Sequence, residues 1–370
     1  MKRSKRALLL LVLLVLAACD GGSDERASEQ RPAPPHPRTA DRRATEAAYA
    51  FLDTYTTADG RIQRIDQGGD TVGEGQAYGL LMAAALRDER RFERIWQWTR
   101  RNVTRPDGLM VFRWADGRVQ DPQPASDADL DAVRALLIGA CRFERPELRT
   151  AAERIGRALL RRQTAHAPGG PVLLAGPWAV AQGRLTINPS YLDPTTLTAL
   201  NGAFGDRRYA AVADKGRRTV ESVSRPLPPD WAVVDATTGQ ARPVDGASSA
   251  GGDGRFSWDA PRALVRLATD PEIAGRRIAA RTWPAFAGRR PEQIPVEHHL
   301  DGRPAGTARS AVTLVAAAGA ATAAGKVKAA EKLLAAADDL NRQEPSYYGG
   351  AWVALGRLML TTDRLDPPRC

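Results

Sequence analysis

Three carboxylates, Glu74, Asp127 and Asp259, stand at the starts of separate apolar stretches of the sequence. Two carboxyl groups on opposite sides of a groove can cleave a glycosidic bond: one protonates the leaving oxygen, while the other activates water or attacks the sugar. An ordinary helix cap is the competing interpretation for Asp127 and Asp259, because acidic side chains are common at helix N-termini. Glu74 fits that alternative less well, since the glycines on either side permit close approach of backbone or ligand.

The apolar stretches headed by these carboxylates predict helices that are buried on nearly every side. Six such stretches begin at or near Glu74, Asp127, Asp193, Asp259, Thr307 and Tyr347. A helix with one charged face precedes each of them, as from Arg90, Pro146 and Asp206. Inner-to-outer connections are short, whereas most outer-to-inner connections have about 15 to 35 residues, beyond the usual loop length. This alternation predicts an all-α fold, an (α/α)6 barrel of six inner and six outer helices, with the long loops and the carboxylates at one end.

Glu74 and Asp259 head the first and fourth inner helices, so we expect them to face each other across the ring. A separation of ~6.5–9.5 Å would leave room for a water molecule and lead to inversion of anomeric configuration. A helix N-terminus lowers the pKa of a carboxyl group, whereas a general acid must keep its proton near neutral pH. We therefore expect Asp127, on the next inner helix, to raise the pKa of the acid.

The N-terminal segment predicts export. Residues 1–18 have a basic start and an apolar run too short to span a membrane comfortably, and they end before Cys19 as in a bacterial lipoprotein signal. An ordinary cleaved signal or an uncleaved anchor is the alternative. Residues 19–43 are polar and Pro-rich, which favours a flexible, lipid-attached linker. We expect a periplasmic, lipid-anchored protein with a helical domain over residues 44–362 and a tail over 363–370; the choice of membrane stays open.

Charge and metal-binding residues narrow the class of function. The net charge of +10 becomes +6 without the four cations of the signal (10 − 4 = 6). Arginines spread over outer helices are typical of a solvated surface, not of a nucleic-acid interface. His298 and His299 are adjacent and lack other His or Cys residues at metal-ligand spacing, so we predict no metal and no cofactor. Cys141 ends an apolar helix and Cys370 is the last residue; a disulfide between them would need their Cα atoms within ~7 Å, and an inert buried thiol at Cys141 is the preferred expectation.

Four motifs follow one another along the chain: GEGQAYG (73–79), ASDADLD (125–131), NPSYL (188–192) and SWDAPR (257–262). In this order they resemble glycoside hydrolase family 8, above all its periplasmic endoglucanases associated with bacterial cellulose synthase. The likeness runs from about Tyr49 to Leu360. It implies an (α/α)6 barrel that hydrolyses with inversion, with Glu74 as general acid and Asp259 as the base for the attacking water. Asp127 would hold and distort the central sugar.

The resemblance also implies that Arg262 orients Asp259 and that Asn188 and Tyr191 line the same subsite. Further substrate contacts are predicted for side chains in the motifs and near the long loops: Gln76, Tyr78, Trp114, Trp178, Trp231, Trp258, Tyr347 and Tyr348. Sugar rings stack on exposed aromatic faces, but a tryptophan in a loop is also commonly buried. Trp258 stands where cellulose-associated members often have Tyr, so a phenolic hydroxyl beside the base is missing.

These features predict an exported endo-β-1,4-glucanase that acts on cellulose or a related β-glucan. Mixed-linkage glucan, chitosan and xylan are alternative substrates within the family. A glycan-binding lipoprotein without turnover is the alternative from another class, and the intact carboxylates argue against it. A tethered glucanase could trim polysaccharide beside a synthesis and export complex.

Overall fold

The computed structural model describes residues 37–368, and twelve α-helices make up most of this part of the chain. The inner ring consists of α2 (Gly73–Ala85), α4 (Ser126–Arg142), α6 (Pro194–Phe204), α8 (Pro261–Ala268), α10 (Ala311–Ala323) and α12 (Tyr347–Thr361). The outer ring consists of α1 (Pro37–Tyr55), α3 (Glu89–Asn102), α5 (Pro146–Arg162), α7 (Arg208–Val223), α9 (Ile273–Thr282) and α11 (Val327–Gln343). Each inner helix contacts the next, and α12 returns to α2, so the ring is closed. The predicted (α/α)6 barrel is confirmed.

Small side chains let the inner helices lie close together. α10 consists mostly of alanine and is buried from Ala311 to Ala321. A Cβ added to Gly319 in this helix would come within 3.1 Å of the carbonyl oxygen of Leu264 in α8. The outer helices bury one face only: α3 buries Phe92 and Ile95 and leaves most of its arginines exposed. The inner ring is therefore the core, and the outer ring separates it from solvent.

Four of the five inner-to-outer connections turn through a residue with positive φ. These residues are Arg87 (57°), Glu144 (55°), Gly205 (68°) and Gly325 (70°). A residue in this conformation reverses the chain immediately after a helix. The short connections therefore lie at one end of the barrel, and the long connections lie at the other end, as predicted.

The long connections carry three small antiparallel sheets that were not predicted. The first contains β1 (Thr71–Val72), β2 (Arg113–Ala115) and β3 (Arg118–Asp121), and the second contains β4 (Thr164–Ala167) and β5 (Gly170–Leu173). The third contains β6 (Val180–Ala181), β7 (Arg184–Ile187), β8 (Trp231–Asp235) and β9 (Ala241–Val244). Such short strands show no clear apolar–polar alternation in the sequence. Because β1–β2 and β7–β8 pair strands from different connections, the sheets join the loops around the cleft.

Both ends of the described chain pack more closely than the sequence suggested. α1 begins at Pro37, inside the segment predicted to be a linker up to residue 43, and proline is favourable at the start of a helix. Asp41 of α1 forms an ion pair of 2.7 Å with Arg364. In the predicted tail, Leu365 is 1% exposed, and its carbonyl oxygen accepts a hydrogen bond of 2.8 Å from Nε of Arg134. The helical domain therefore includes segments on both sides of its predicted limits.

The prediction of an inert buried thiol at Cys141 is wrong. Cys141 is half-buried at the end of α4 and is disulfide-bonded. The C-terminal segment returns to this helix end, where the carbonyl oxygen of Pro368 lies 3.9 Å from the sulfur of Cys141. The signal peptide (1–18), Cys19 and the linker up to residue 36 lie outside the described residues. Between residues 37 and 368, no helix has the length and apolar character needed to cross a membrane.

Candidate active site

Glu74 lies in the first turn of α2, at the end of the barrel that carries the long loops, and its side chain is 22% exposed. Packing requires the glycines beside it. A Cβ on Gly73 would come within 2.7 Å of the carbonyl oxygen of Val111, and a Cβ on Gly75 would collide with the hydroxyl of Tyr347. These glycines let the first turn of α2 fit between neighbouring segments while Glu74 borders the cleft.

One guanidinium group joins the three carboxylates. Arg262, in the first turn of α8, is 2% exposed. Its Nη1 donates to Oδ2 of Asp127 at 2.8 Å and contacts Oε2 of Glu74 at 3.3 Å, while its Nη2 donates to Oδ1 of Asp259 at 2.8 Å. Glu74 and Asp259 therefore contact different nitrogens of one planar group. The structure brings the three carboxylates together, and Arg262 holds all of them rather than Asp259 alone.

Neither Asp127 nor Asp259 caps a helix. The N-cap residue of α4 is Ala125, and that of α8 is Ala260; neither position has a side-chain cap. Asp127 lies inside the first turn and is 1% exposed, whereas Asp259 precedes α8 and its side chain is 31% exposed. The ordinary cap interpretation therefore does not explain these two carboxylates.

Burial raises the pKa of Glu74 to about 7; Arg262 opposes the rise, and the charges of Asp127 and Asp259 add to it. The sequence suggested Asp127 as the source of this rise, but removal of the carboxyl from water is the larger cause. Burial also raises the pKa of Asp259, again against the effect of Arg262. Glu74 is thus able to keep a proton near neutral pH, as a general acid must.

Two predicted substrate contacts, Gln76 and Tyr78, lie below the cleft and are 0% exposed. The Oε1 of Gln76 accepts a hydrogen bond of 2.5 Å from a backbone N–H in the α1–α2 connection, and its Nε2 donates to Thr99 at 2.8 Å. The hydroxyl of Tyr78 accepts hydrogen bonds from Arg262 Nη1 at 3.4 Å and from an indole N–H of α12 at 3.2 Å. Gln76 therefore joins α2 to the outer helix α3 and to the α1–α2 connection, whereas Tyr78 faces the inner ring and supports Arg262. Neither side chain lines the cleft, so their predicted contact with substrate stays a prediction.

The rings of Trp114 and Tyr347 are less open than the sugar platforms predicted from the sequence, because both pack against other side chains. The guanidinium carbon of Arg61 lies 4.6 Å from the centre of the Trp114 ring, and Trp98 packs edge-on against the same indole at 5.2 Å. Tyr347 borders the cleft but is 1% exposed, and its hydroxyl has no hydrogen-bond partner among the described residues. Their packing against neighbouring side chains, which the sequence did not reveal, accounts for the difference.

Open aromatic surface lies beside Asp259. A cleft of about 540 Å³ is lined in part by Glu74, Asp259, Arg262, Trp258 and Tyr348. Trp258 is 52% exposed, and its carbonyl oxygen accepts a hydrogen bond of 2.9 Å from the hydroxyl of Tyr348. The indole next to Asp259 can therefore stack on a sugar ring while its backbone is held in place.

A second row of aromatic rings leads from the surface to Arg262. Trp178 is 39% exposed, and its ring centre lies 6.4 Å from that of Trp231. Trp231 lies 6.1 Å from Tyr191, whose ring centre is 5.2 Å from the guanidinium carbon of Arg262. This row provides a path of apolar surface between the third sheet and the carboxylates.

Asn188 lies beside Asp259. It is 4% exposed, and its Oδ1 accepts hydrogen bonds from the backbone N–H and the hydroxyl of Ser190, at 3.0 and 2.7 Å. Burial raises the pKa of Asp259, and the amide of Asn188 partly offsets this effect, which places the two side chains next to each other.

His298 is fully buried between Phe256 and Phe286, with ring centres at 5.8 and 5.7 Å. Its backbone pairs with that of Phe256 through hydrogen bonds of 2.9 and 3.1 Å, close to Asp259 in the sequence. Neither ring nitrogen has a hydrogen-bond partner among the described residues. Residues 37–368 contain no group of three or more His, Cys, Asp or Glu side chains placed to bind a metal. His298 is thus a core residue beside the segment that carries Asp259.

Low pH should destabilise the fold because the buried side chain of His298 resists protonation. Burial, helped by Arg289, lowers the pKa of His298 from 6.5 to about 4. In the unfolded chain the His298 side chain binds a proton below pH 6.5, but in the folded chain it does so only below about pH 4. The free energy of unfolding therefore falls as the pH drops through this window. At pH 5 we expect this effect to lower the free energy of unfolding by about 2 kcal/mol. Denaturant unfolding at pH 7 and pH 5, compared with His298→Leu, measures it; an equal loss in both proteins would contradict the assignment.

The double helical ring and its carboxylate-lined cleft define an (α/α)6 barrel with the site of a glycoside hydrolase. The sequence model of the family described as "Glycosyl hydrolases family 8" matches residues 40–281, so the chain belongs to this family.

Two relatives are similar in sequence to part of this chain. An endoglucanase of Xanthomonas axonopodis pv. citri (strain 306) is 34% identical over 209 residues, which cover 53% of this chain and 54% of that protein. A "Probable endoglucanase" of Novacetimonas hansenii is 33% identical over 223 residues, covering 57% of this chain and 63% of that protein. The matches therefore span between about half and two thirds of these relatives.

Solved structures resemble almost the whole described chain. An endo-beta-1,4-glucanase from Acetobacter xylinum superposes with a TM-score of 0.72 at 25% identity, covering 86% of this chain and 98% of that one. A beta-1,3-1,4-glucanase from Paenibacillus sp.X4 superposes with a TM-score of 0.79 at 18% identity, covering 89% and 94%. The second likeness concerns the fold alone.

Proposed function

We propose that this chain is an endo-acting β-1,4-glucanase that hydrolyses cellulose or a related β-glucan with inversion. The observation that carries the proposal is the pairing of Glu74 with Asp259 through Arg262, with the pKa of Glu74 raised to about 7. Glu74 can keep its proton near neutral pH, and Asp259 borders the same cleft. The names of the relatives and of the Acetobacter xylinum structure support the substrate class.

The reaction needs one proton donor and one proton acceptor. Glu74 gives its proton to the glycosidic oxygen as the bond from that oxygen to the anomeric carbon breaks. A water molecule attacks the anomeric carbon from the opposite face and transfers a proton to Asp259. A β-linked substrate then yields a product with the α configuration, and no covalent intermediate forms.

Asp127 has a different role in this proposal. It is 1% exposed, and its Oδ2 is occupied by Arg262 at 2.8 Å. A carboxylate held in this way is a strong acceptor for a sugar hydroxyl and can favour a distorted ring at the cleavage point. Trp258, Tyr191 and Tyr348 provide aromatic surface around that ring.

We also propose that the protein is exported and anchored by a lipid on Cys19. The lipoprotein-like N-terminus supports this, and the disulfide at Cys141 fits an oxidising compartment. In that setting the enzyme would cut polysaccharide close to a membrane, beside a synthesis and export complex for the same polymer. Radiolabelled fatty acid incorporation that is lost in Cys19→Ala tests the anchor.

Product analysis tests the proposed reaction most directly. The purified protein is incubated with carboxymethyl-cellulose, mixed-linkage glucan, xylan and chitosan, and new reducing ends are measured. Proton NMR of cello-oligosaccharide hydrolysis then identifies the anomer formed first. We expect fastest cleavage of the β-1,4-glucan inside the chain and initial release of the α-anomer.

Other outcomes lead to other conclusions. Early β-anomer would contradict Asp259 as a base for water, and faster cleavage of another polymer would reassign the substrate. If no polymer is cleaved but glycan is retained in a pull-down, the chain is a binding protein rather than an enzyme.

A further inference from the structure

The segment that carries Asp259 is held by side chains from other parts of the fold. It consists of residues 256–260, between the third sheet and α8, and has no side-chain cap of its own. Phe256 pairs with the backbone of His298, and Tyr348 binds the carbonyl oxygen of Trp258 at 2.9 Å. The remaining backbone N–H groups of the segment need an acceptor, because a helix start leaves its first donors unpaired.

Asp230 supplies that acceptor. Its Oδ1 accepts hydrogen bonds from the backbone N–H groups of Ser257 at 3.0 Å, Asp259 at 3.1 Å and Ala260 at 2.7 Å. Its Oδ2 accepts a hydrogen bond from the hydroxyl of Ser257, and its own N–H donates to the carbonyl oxygen of Arg255 at 2.6 Å. One carboxylate therefore fixes the backbone on both sides of the Asp259 side chain.

The position of Asp230 makes this support rigid. It directly precedes β8, which pairs on one side with β7 and on the other with β9. The two prolines before it, Pro228 and Pro229, limit the backbone freedom of the approach. The side chain of Asp230 thus attaches the segment around Asp259 to the three-stranded part of the sheet, β7, β8 and β9.

We propose that Asp230 is a positioning residue for hydrolysis: it sets the direction of Asp259, and its negative charge keeps Asp259 receptive to a proton from water. The proposal rests on the hydrolytic function proposed above. A neutral amide could accept the same three backbone hydrogen bonds, so the charge has a separate effect.

That effect is visible in the groups that surround Asp259. Burial raises the pKa of Asp259, Arg262 lowers it, and the charges of Asp230 and Asp127 raise it further. Glu74, Tyr191 and Tyr348 also face this site, and the pKa values of all three are raised by burial. Loss of the charge on Asp230 should therefore lower the pKa of Asp259, because a repelling neighbour is removed.

Two substitutions separate the effect of Asp230 on the position of Asp259 from the effect of its negative charge. Asp230→Asn retains an oxygen for the backbone N–H groups, so we expect it to keep most of kcat while the acid limb of the kcat/KM profile moves to lower pH. Asp230→Ala removes the acceptor, and we expect kcat to fall about 10²-fold with a smaller change in KM, as for a displaced catalytic group. Asp235→Asn is the matched control, because Asp235 lies at the other end of β8 and accepts from the exposed turn at Thr237 and Thr238.

Titration of Asp259 by carbon NMR in Asp-labelled protein, assigned with Asp259→Asn, repeats the test without turnover. A lower pKa in Asp230→Asn supports the proposal even if the proposed hydrolysis proves wrong. An unchanged acid limb and an unchanged titration in Asp230→Asn would overturn the charge effect. Full kcat in a folded Asp230→Ala protein, checked by thermal melting, would overturn the positioning role.

Discussion

Replacement of Glu74 by Gln should reduce kcat/KM on β-1,4-glucan by about 10²- to 10⁴-fold, the usual contribution of a positioned general acid. Gln retains the shape and the hydrogen-bonding capacity toward Arg262, which contacts Oε2 of Glu74 at 3.3 Å in the native protein. It cannot donate the proton that the glycosidic oxygen needs. Initial rates of reducing-sugar release by the two purified proteins measure the loss.

The leaving group distinguishes an acid from a structural carboxyl. A β-cellobiosyl fluoride or dinitrophenyl glycoside needs little protonation, so Glu74→Gln should lose far less activity on it than on the polymer. Glu153→Gln is the control, because Glu153 pairs with Arg157 on the surface of α5. Equal losses on both kinds of substrate would show that Glu74 does not act as the acid.

The pH dependence of kcat/KM gives a third test of Glu74 as the general acid. Because the pKa of Glu74 is raised to about 7, the wild-type kcat/KM on polymer should fall as the pH rises through about 7 and the acid loses its proton. Glu74→Gln has no proton to lose at this position. The remaining activity of the variant should therefore lack this alkaline limb.

The fold and the approximate position of the site could be predicted because they depend on repeated local patterns. Apolar stretches alternating with one-sided helices recur along the chain, and this pattern requires an inner and an outer ring. Glu74 was recognisable from its flanking glycines, and these glycines do face Val111 and Tyr347 at close range.

The parts that were missed depend on contacts between distant segments. Gln76 and Tyr78 belong to the same motif as Glu74, but only the three-dimensional packing shows that both side chains are fully buried. Trp114 is a loop aromatic by sequence, yet Arg61 covers its ring. Asp230 lies well before Asp259 in the chain, and no local pattern indicates that it holds the segment around the base. Spacing alone cannot give such pairings.

Charged residues inside the inner helices also have partners that the spacing of the sequence does not give. Arg262 and Arg266 interrupt the apolar stretch of α8; the sequence motif suggested a role for Arg262 beside Asp259 but none for Arg266. In the structure Arg262 joins the three carboxylates of the cleft, while Arg266 makes two hydrogen bonds of 2.8 Å to Asp131 and one of 3.2 Å to Asp193. Each buried cation is therefore compensated, which is the condition for burying it at an acceptable free-energy cost.

Arg262→Met should both destabilise the fold and reduce turnover. Removal of one partner from a buried ion pair costs about 3–5 kcal/mol, and here Asp127, Asp259 and Glu74 lose a shared cation. Because Arg262 lowers the pKa values of Glu74 and Asp259, both limbs of the kcat/KM profile should move to higher pH. Misplacement of the carboxyl groups should also lower kcat by more than about 10²-fold.

Arg266→Met provides the matched comparison for Arg262→Met, because both arginines lie in α8 and are at most 2% exposed. Unfolding free energies of the two variants should fall to a similar extent, since each leaves buried carboxylates without their cation. The pH profile should move only in Arg262→Met, because Arg266 contacts Asp131 and Asp193 rather than Glu74 or Asp259. Equal shifts of the profile in both variants would mean that Arg262 affects the site through stability alone, and the direct electrostatic link between Arg262 and the two reacting carboxyl groups would have to be abandoned.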